Sequence, residues 1–311
     1  MKKLFVAFCA IAALAACAKE EIVSLDKGET IMFGNAFVEN ATRATDPTYG
    51  AVALEAFNLY GTVTGTAGTI NIYNGCEVTG TVGNNVWSCP VNQYWIAGAS
   101  YKFAAVVDAD GVTKDGNNMP TALSYVTANQ KDLLYAEATA TGEASGNDKV
   151  NFTFSHLLSK AQFTVTSNTE NGYHHNVTNI KVNNFATGTY TINGGTWEGT
   201  TATDIAFGDI TEVTSANTTG KTNTTQMLLV PNADEFNVTF TVEIWNGSTK
   251  LGTQDYTKKV SIKDAEDNIV GLEAGKAYNF TLALSVGELI QFTVTSAPTW
   301  AGPTGFDVPV Q

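Results

Sequence analysis

Between residues 236 and 244 every second side chain is apolar: Phe236, Val238, Phe240, Val242 and Ile244, with Asn237, Thr239, Thr241 and Glu243 between them. Successive side chains point to opposite faces in an extended strand, so this run fits a half-buried strand and not a helix. Val150, Phe152 and Phe154 repeat the pattern, as do Ile290, Phe292 and Val294 near the end of the chain. Long helical periodicity is missing, while Thr, Val, Gly and Asn are abundant. The chain is therefore predicted to be all-β, built from many short strands. Hydrophobic residues make up 43% and charged residues 15% of 311, enough for a sizeable core and for two domains.

Strand signals begin after residue 47. Phe57, Leu59 and Val63 come first, then Ile70, Ile72, Val78 and Val86-Trp87, with Gly65, Gly68, Gly75, Gly80 and Gly83 at turn-like intervals. Tyr101-Lys102-Phe103-Ala104-Ala105-Val106-Val107 is a long buried-strand candidate, apolar without a break from Phe103; Asp132-Leu133-Leu134-Tyr135-Ala136 is another short apolar run. Further strands are predicted around 180–182, 188–192, 226–230 and 250–262. The predicted domains are 44–148 and 149–311. A hairpin centred on Val82-Gly83 would set Cys76 opposite Cys89 and Val78 opposite Trp87. A disulfide and two buried free thiols both fit that reading. Residues 296–305 are a Pro- and Gly-rich linker, followed by Phe306, Val308 and Val310 at alternate positions. A tail of this pattern has little reason to exist unless it pairs with something, and Pro309, which lacks an N–H, suits an added edge strand.

The formal net charge is −13, which argues against nucleic acid as a partner, since phosphate binding relies on clustered Lys and Arg. No enzyme constellation is visible, and neither a cofactor nor a metal is predicted. His156 stands at a strand-to-turn junction, and His174-His175 is an adjacent pair in a polar stretch read as a loop, unlike the spaced ligands of a zinc site. Asp108, Asp110 and Asp115 lack the spacing and terminal glutamate of a calcium loop.

At the front, Lys2 and Lys3 precede the apolar residues 4–14, as in a secretory signal covering residues 1–16. Leu14-Ala15-Ala16-Cys17 resembles a bacterial lipobox, which implies acylation of Cys17 and an outer-membrane anchor. Lys19-Glu20-Glu21 resembles the surface-export signal of lipoproteins in Bacteroides-type bacteria. Residues 29–45 then combine an apolar half (Ile31, Phe33, Phe37, Val38) with a small, polar half holding Arg43, the sole arginine of the chain. The apolar half is expected to be a provisional strand that fills a groove until the chain is cut between Arg43 and Ala44.

Gln93-Tyr94-Trp95 leading to Phe103, Asp132-Leu133-Leu134-Tyr135-Ala136, and the run from Val150-Asn151-Phe152 to Ser159-Lys160 resemble recurrent phrases of the fimbrillin (type V pilin) family. Residues 31–44 are similar to that family's strand before the cleavage point. The resemblance implies two tandem transthyretin-like β-sandwich domains, each of about seven strands. It implies a cell-surface pilus (fimbria) subunit, exported as a lipoprotein with the propeptide 17–43 and cut after Arg43 by an arginine-specific surface protease. Other copies would then polymerise head to tail by donor-strand exchange, each groove accepting the next subunit's residues 290–311, with Ile290, Phe292, Val294, Phe306, Val308 and Val310 as the apolar set. Two other classes fit the sequence: a tip or accessory pilin adhesin, and a surface glycan-binding lipoprotein that stacks sugars on Trp87, Trp95 or Trp197.

Overall fold

A computed structural model describes residues 29–38, 54–80, 87–143, 148–169, 172–223, 225–264, 266–285, 291–297 and 307–309. Cys17, Arg43, Ala44, Ile290, Phe306 and Val310 lie outside them. The strands are β1 (Phe33–Val38), β2 (Ala56–Gly65), β3 (Gly68–Gly80), β4 (Trp87–Ser88), β5 (Ser100–Val107), β6 (Gly111–Lys114), β7 (Pro120–Val126), β8 (Leu134–Thr141), β9 (Val150–His156) and β10 (Ser159–Asn168). The second half holds β11 (Tyr173–Thr191), β12 (Thr196–Ala206), β13 (Ile210–Val213), β14 (Lys221–Thr222), β15 (Met227–Leu229), β16 (Phe236–Asn246), β17 (Thr249–Val260), β18 (Ala277–Ser285), β19 (Gln291–Ala297) and β20 (Asp307–Pro309).

The all-β expectation holds, and the first unit closes on itself. Its staves run β1-β4-β3-β2-β5-β8-β9, and β1 completes the ring by pairing with both β4 and β9. Inside lies an aromatic core that includes Phe57, Tyr73, Trp87, Trp95, Phe103 and Phe152. The second unit is a sandwich. One sheet runs β14-β10-β18-β19-β20 with β15 also on β10; the other runs β17-β16-β11-β7-β6 with β12 and β13 also on β11. The alternating residues Phe236, Val238, Phe240 and Val242 face Phe163, Phe280, Leu282 and their neighbours in the core between the sheets.

Three features depart from the sequence reading. First, β8 and β9 pair with each other, so the barrel runs on to His156 and the divide lies a little beyond residue 148. Second, the β6–β7 hairpin leaves the barrel and adds to the far sheet, with Tyr125 opposite Gly188 on β11. Third, the first of the two expected sandwiches is a closed barrel. A further core, including Tyr60, Ala104, Val106, Leu123, Leu157 and Leu228, lies where barrel, hairpin and sandwich meet. It explains why residues 103–106 show no alternation: both faces of β5 are covered, so both are apolar.

Candidate functional site

The first described segment is zipped into the barrel by its backbone. Trp95 N–H donates to Glu29 O at 3.0 Å, Ile31 N–H to Gln93 O at 2.8 Å, and Val150 N–H to Met32 O at 2.9 Å. From Phe33 onward the chain runs parallel to β9, from Phe33 opposite Val150 to Val38 opposite Phe154. The other barrel neighbours are antiparallel. A parallel strand cannot come from a tight hairpin, so β1 reaches its place from a separate part of the chain.

Ile31 and Phe33 are buried at 4% and 3% exposure. The Phe33 ring meets Tyr73 at 5.8 Å, Phe103 at 6.2 Å and Phe152 at 6.2 Å. Burying a side chain of this size stabilises by about 1.5–3 kcal/mol. Gly34 permits the close parallel approach: a Cβ there would lie 2.4 Å from Asn151 Oδ1 and 3.0 Å from Lys149 Cβ. The pairing slips between Phe33 and Ala36, so the inward face changes phase. Ala36 is buried and Val38 half-buried; strict alternation from Phe33 misses Ala36. Phe37 stands opposite Thr153 along the ladder.

The antiparallel wall of this slot is β4, two residues long, where Trp87 faces Phe33. On its other side β4 pairs with β3 as Thr79–Ser88 and Gly80–Trp87. The expected Val78–Trp87 pairing is therefore corrected by two residues, because the Trp87 ring lies over Gly80: a Cβ there would sit 2.6 Å from Trp87 Cδ2. The slip also takes Cys76 and Cys89 from directly opposite to diagonal, yet their sulfurs are 2.8 Å apart as free thiols. Burial pushes the Cys89 thiol up to about 12, and a hydrogen bond with the Cys76 thiol adds to this. Burial also raises the Tyr73 phenol, whose oxygen is enclosed without a hydrogen-bond partner. Tyr101 fixes the segment facing residues 29–31: its hydroxyl donates to Tyr94 O at 3.1 Å and accepts from Ile96 N–H at 2.7 Å.

At the rear, the sequence-predicted donor is paired with its own unit. β19 lies antiparallel to β18, with Phe292 opposite Leu282 and Val294 opposite Phe280, and Val294 is buried in the sandwich core. β20 is an outer edge on β19, with Val308 opposite Val294 and Pro309 opposite Thr293.

The remaining candidates serve the fold. His156 Nδ1 lies 2.9 Å from Asp132 Oδ2. Burial raises the Asp132 carboxyl, against the lowering pull of His156 and Lys160. His174 and His175 belong to strand β11, not to a loop: His174 stacks on Trp245, and His175 is buried with Nδ1 2.8 Å from Ser167 Oγ. Asp110 accepts from Val126 N–H, and Asp115 from Asn117 and Met119 N–H. Trp87 and Trp95 are buried and so offer no open face for a sugar; Trp197 is half-buried and donates Nε1–H to Leu157 O at 2.8 Å.

Residues 42–298 match the fimbrillin-like family. Among solved structures, a fimbrial protein from Bacteroides vulgatus is 17% identical and superposes with a TM-score of 0.62, covering 86% of this chain and 98% of its own. A candidate cell adhesion protein from Bacteroides uniformis is 18% identical, with a TM-score of 0.56 over 88% of this chain and 99% of its own. At such identities the likeness is one of fold. No curated relative matches the sequence.

Proposed function

The chain belongs to the fimbrillin-like family, and from that premise we propose that it is a structural subunit of a cell-surface pilus matured by strand exchange. The observation that carries this reading is the place of β1: the stave that closes the barrel, parallel to β9, with the buried Phe33 ring at its start and residues 39–53, including Arg43, following it. Acylated at Cys17, the precursor is held at the outer membrane with β1 filling its own slot. An arginine-specific protease cuts between Arg43 and Ala44, β1 leaves, and the edges of β4 and β9 open.

A second copy then supplies the missing strand from residues 290–311. Strand addition uses the freed backbone donors and acceptors, with alternate apolar side chains entering the vacated pockets. β20, held along three residues to β19, is the part that leaves its own unit first. A slot at one end and a donor at the other generate an open head-to-tail filament. Until the cut, β1 covers edges that would otherwise recruit strands prematurely.

The test is electron microscopy before and after arginine-specific cleavage. The wild-type protein should lose its front segment and form filaments. Arg43→Ala should stay uncut and monomeric, and a chain lacking residues 306–311 should be cut and folded yet form none. Filaments from either variant would overturn the reading.

A further inference from the structure

β4 stands between β1 on one edge and β3 on the other, and loses one of these two neighbours when β1 leaves. With β1 in place, Trp87 is clamped between Phe33 on one side and Gly80 on the other. Without β1, the ties of β4 to β3 among the described residues are Thr79–Ser88 and Gly80–Trp87. The contact of Trp87 with Phe57, 5.3 Å between ring centroids, remains. Yet β4 must keep its register for an incoming strand to find the same wall. Cys76 on β3 and Cys89, the first residue after β4, lie at this seam, half-buried against the barrel core with their sulfurs 2.8 Å apart.

We infer that Cys76 and Cys89 join as a disulfide that clasps β4 to β3 while the slot is empty. The clasp rests on the strand-exchange reading for its occasion, the departure of β1, but the bond itself does not. The seam is narrow: the bond would close residues 76–89, a loop short enough to restrict the freedom of β4 directly. Its formation is a thiol–disulfide exchange with a small-molecule or protein disulfide. The Cys76 thiolate attacks the donor disulfide, forming a mixed disulfide and releasing one thiol. The Cys89 sulfur, giving its proton to solvent, then displaces the second. Two protein thiols are oxidised and one donor disulfide is reduced to two thiols. Burial of Cys89 favours Cys76 as the first attacker.

The full chain, incubated with oxidised glutathione, should yield a Cys76–Cys89-linked peptide that resists alkylation until reduced. Free, fully alkylated Cys76 and Cys89 in the folded protein would overturn the bond. Hydrogen exchange of residues 87–95 is then compared in uncut and arginine-cut chains. After cutting, exchange should be at least about tenfold slower in the oxidised protein than in the reduced protein or the Cys76→Ser, Cys89→Ser double variant. Equal rates would overturn the clasp. Absence of filaments in both redox states, with the bond formed and 87–95 protected, would overturn strand exchange and support the clasp.

Discussion

Among the described residues two strand pairs are parallel, β10–β18 and β1–β9, and β18 and β1 are held in very different ways. β18 runs along β10 without interruption from Lys160–Ala277 to Asn168–Ser285, and its other edge is covered by β19. It buries Tyr278, Phe280, Leu282 and Leu284, and its Tyr278 hydroxyl donates to Gly271 O and accepts from Glu273 N–H. β1 runs along β9 with a slip after its first pair, and among the described residues its pairing with β4 is Phe33–Trp87. On the proposed reading, then, parallel pairing is not what makes a strand removable; the share of the core it carries decides. Without β18 the sandwich loses four large side chains; without β1 the barrel keeps Phe57, Phe103, Phe152 and Phe154.

Truncating the principal ring of each strand separates the two cases most sharply. Phe280 lies 4.9 Å from the Phe163 ring and 6.0 Å from Phe236 at the centre of the sandwich. Phe280→Ala should cost about 3–5 kcal/mol of global stability, read from the denaturant midpoint. Phe33→Ala also leaves a cavity, but its effect should appear as local opening. Hydrogen exchange should rise in residues 29–38 while 159–168 and 277–285 stay protected. In the cut chain Phe33→Ala should have no effect at all. Exchange rising in both ladders would show that front and rear melt as one unit and would end the contrast.

The contrast was only half legible in the amino-acid sequence. Ile31 and Phe33 mark a buried strand by their apolar character, β9 and β16 show in period-two alternation, and β5 shows in an unbroken apolar run. What the pattern does not carry is partner choice. Nothing in residues 33–38 names β9 as the neighbour or marks the slip that turns Ala36 inward. Nor does a stretch of eleven residues with turn-like content, such as 108–118, reveal that it holds β6 or that the β6–β7 hairpin crosses to the other sheet. The polar residues around His174-His175 read as a loop, although His175 and Val177 mark one buried face of β11. The cleavage point Arg43-Ala44 and the tips of the proposed donor remain sequence inferences, since they lie outside the described residues.

Gly34 sharpens the comparison from the backbone side. No glycine occurs in β18, whereas β1 has one where a Cβ would meet Asn151 Oδ1. Gly34→Val should lift β1 from β9 at a cost of about 1–3 kcal/mol, felt in the docking of that strand rather than in the sandwich. On the proposed reading the precursor should then be trimmed faster by an arginine-specific protease. Unchanged exchange at residues 29–38 in Gly34→Val would mean that the close approach at Asn151 is not what seats the strand.

The smallest effect concerns the sandwich alone. Burial, with the adjacent His174 adding to it, lowers the His175 imidazole below the ordinary histidine value of 6.5. The unfolded chain then binds this proton at a higher pH than the native one. The stability it contributes is complete above the ordinary value, declines as pH falls below it, and stops declining below the lowered native value. Asp132 has the opposite sign: its raised carboxyl favours the folded state at low pH and loses that contribution as pH rises through the raised value. The two overlap in a raw melting profile, so the informative quantity is a difference. Tm of the wild type minus Tm of His175→Gln, followed from neutral to mildly acidic pH, should fall by a few degrees at most. Exchange in residues 29–38 should not follow it. A flat difference would show that His175 is protonated alike in both states, and a matching change at β1 would tie the rear unit to the front strand.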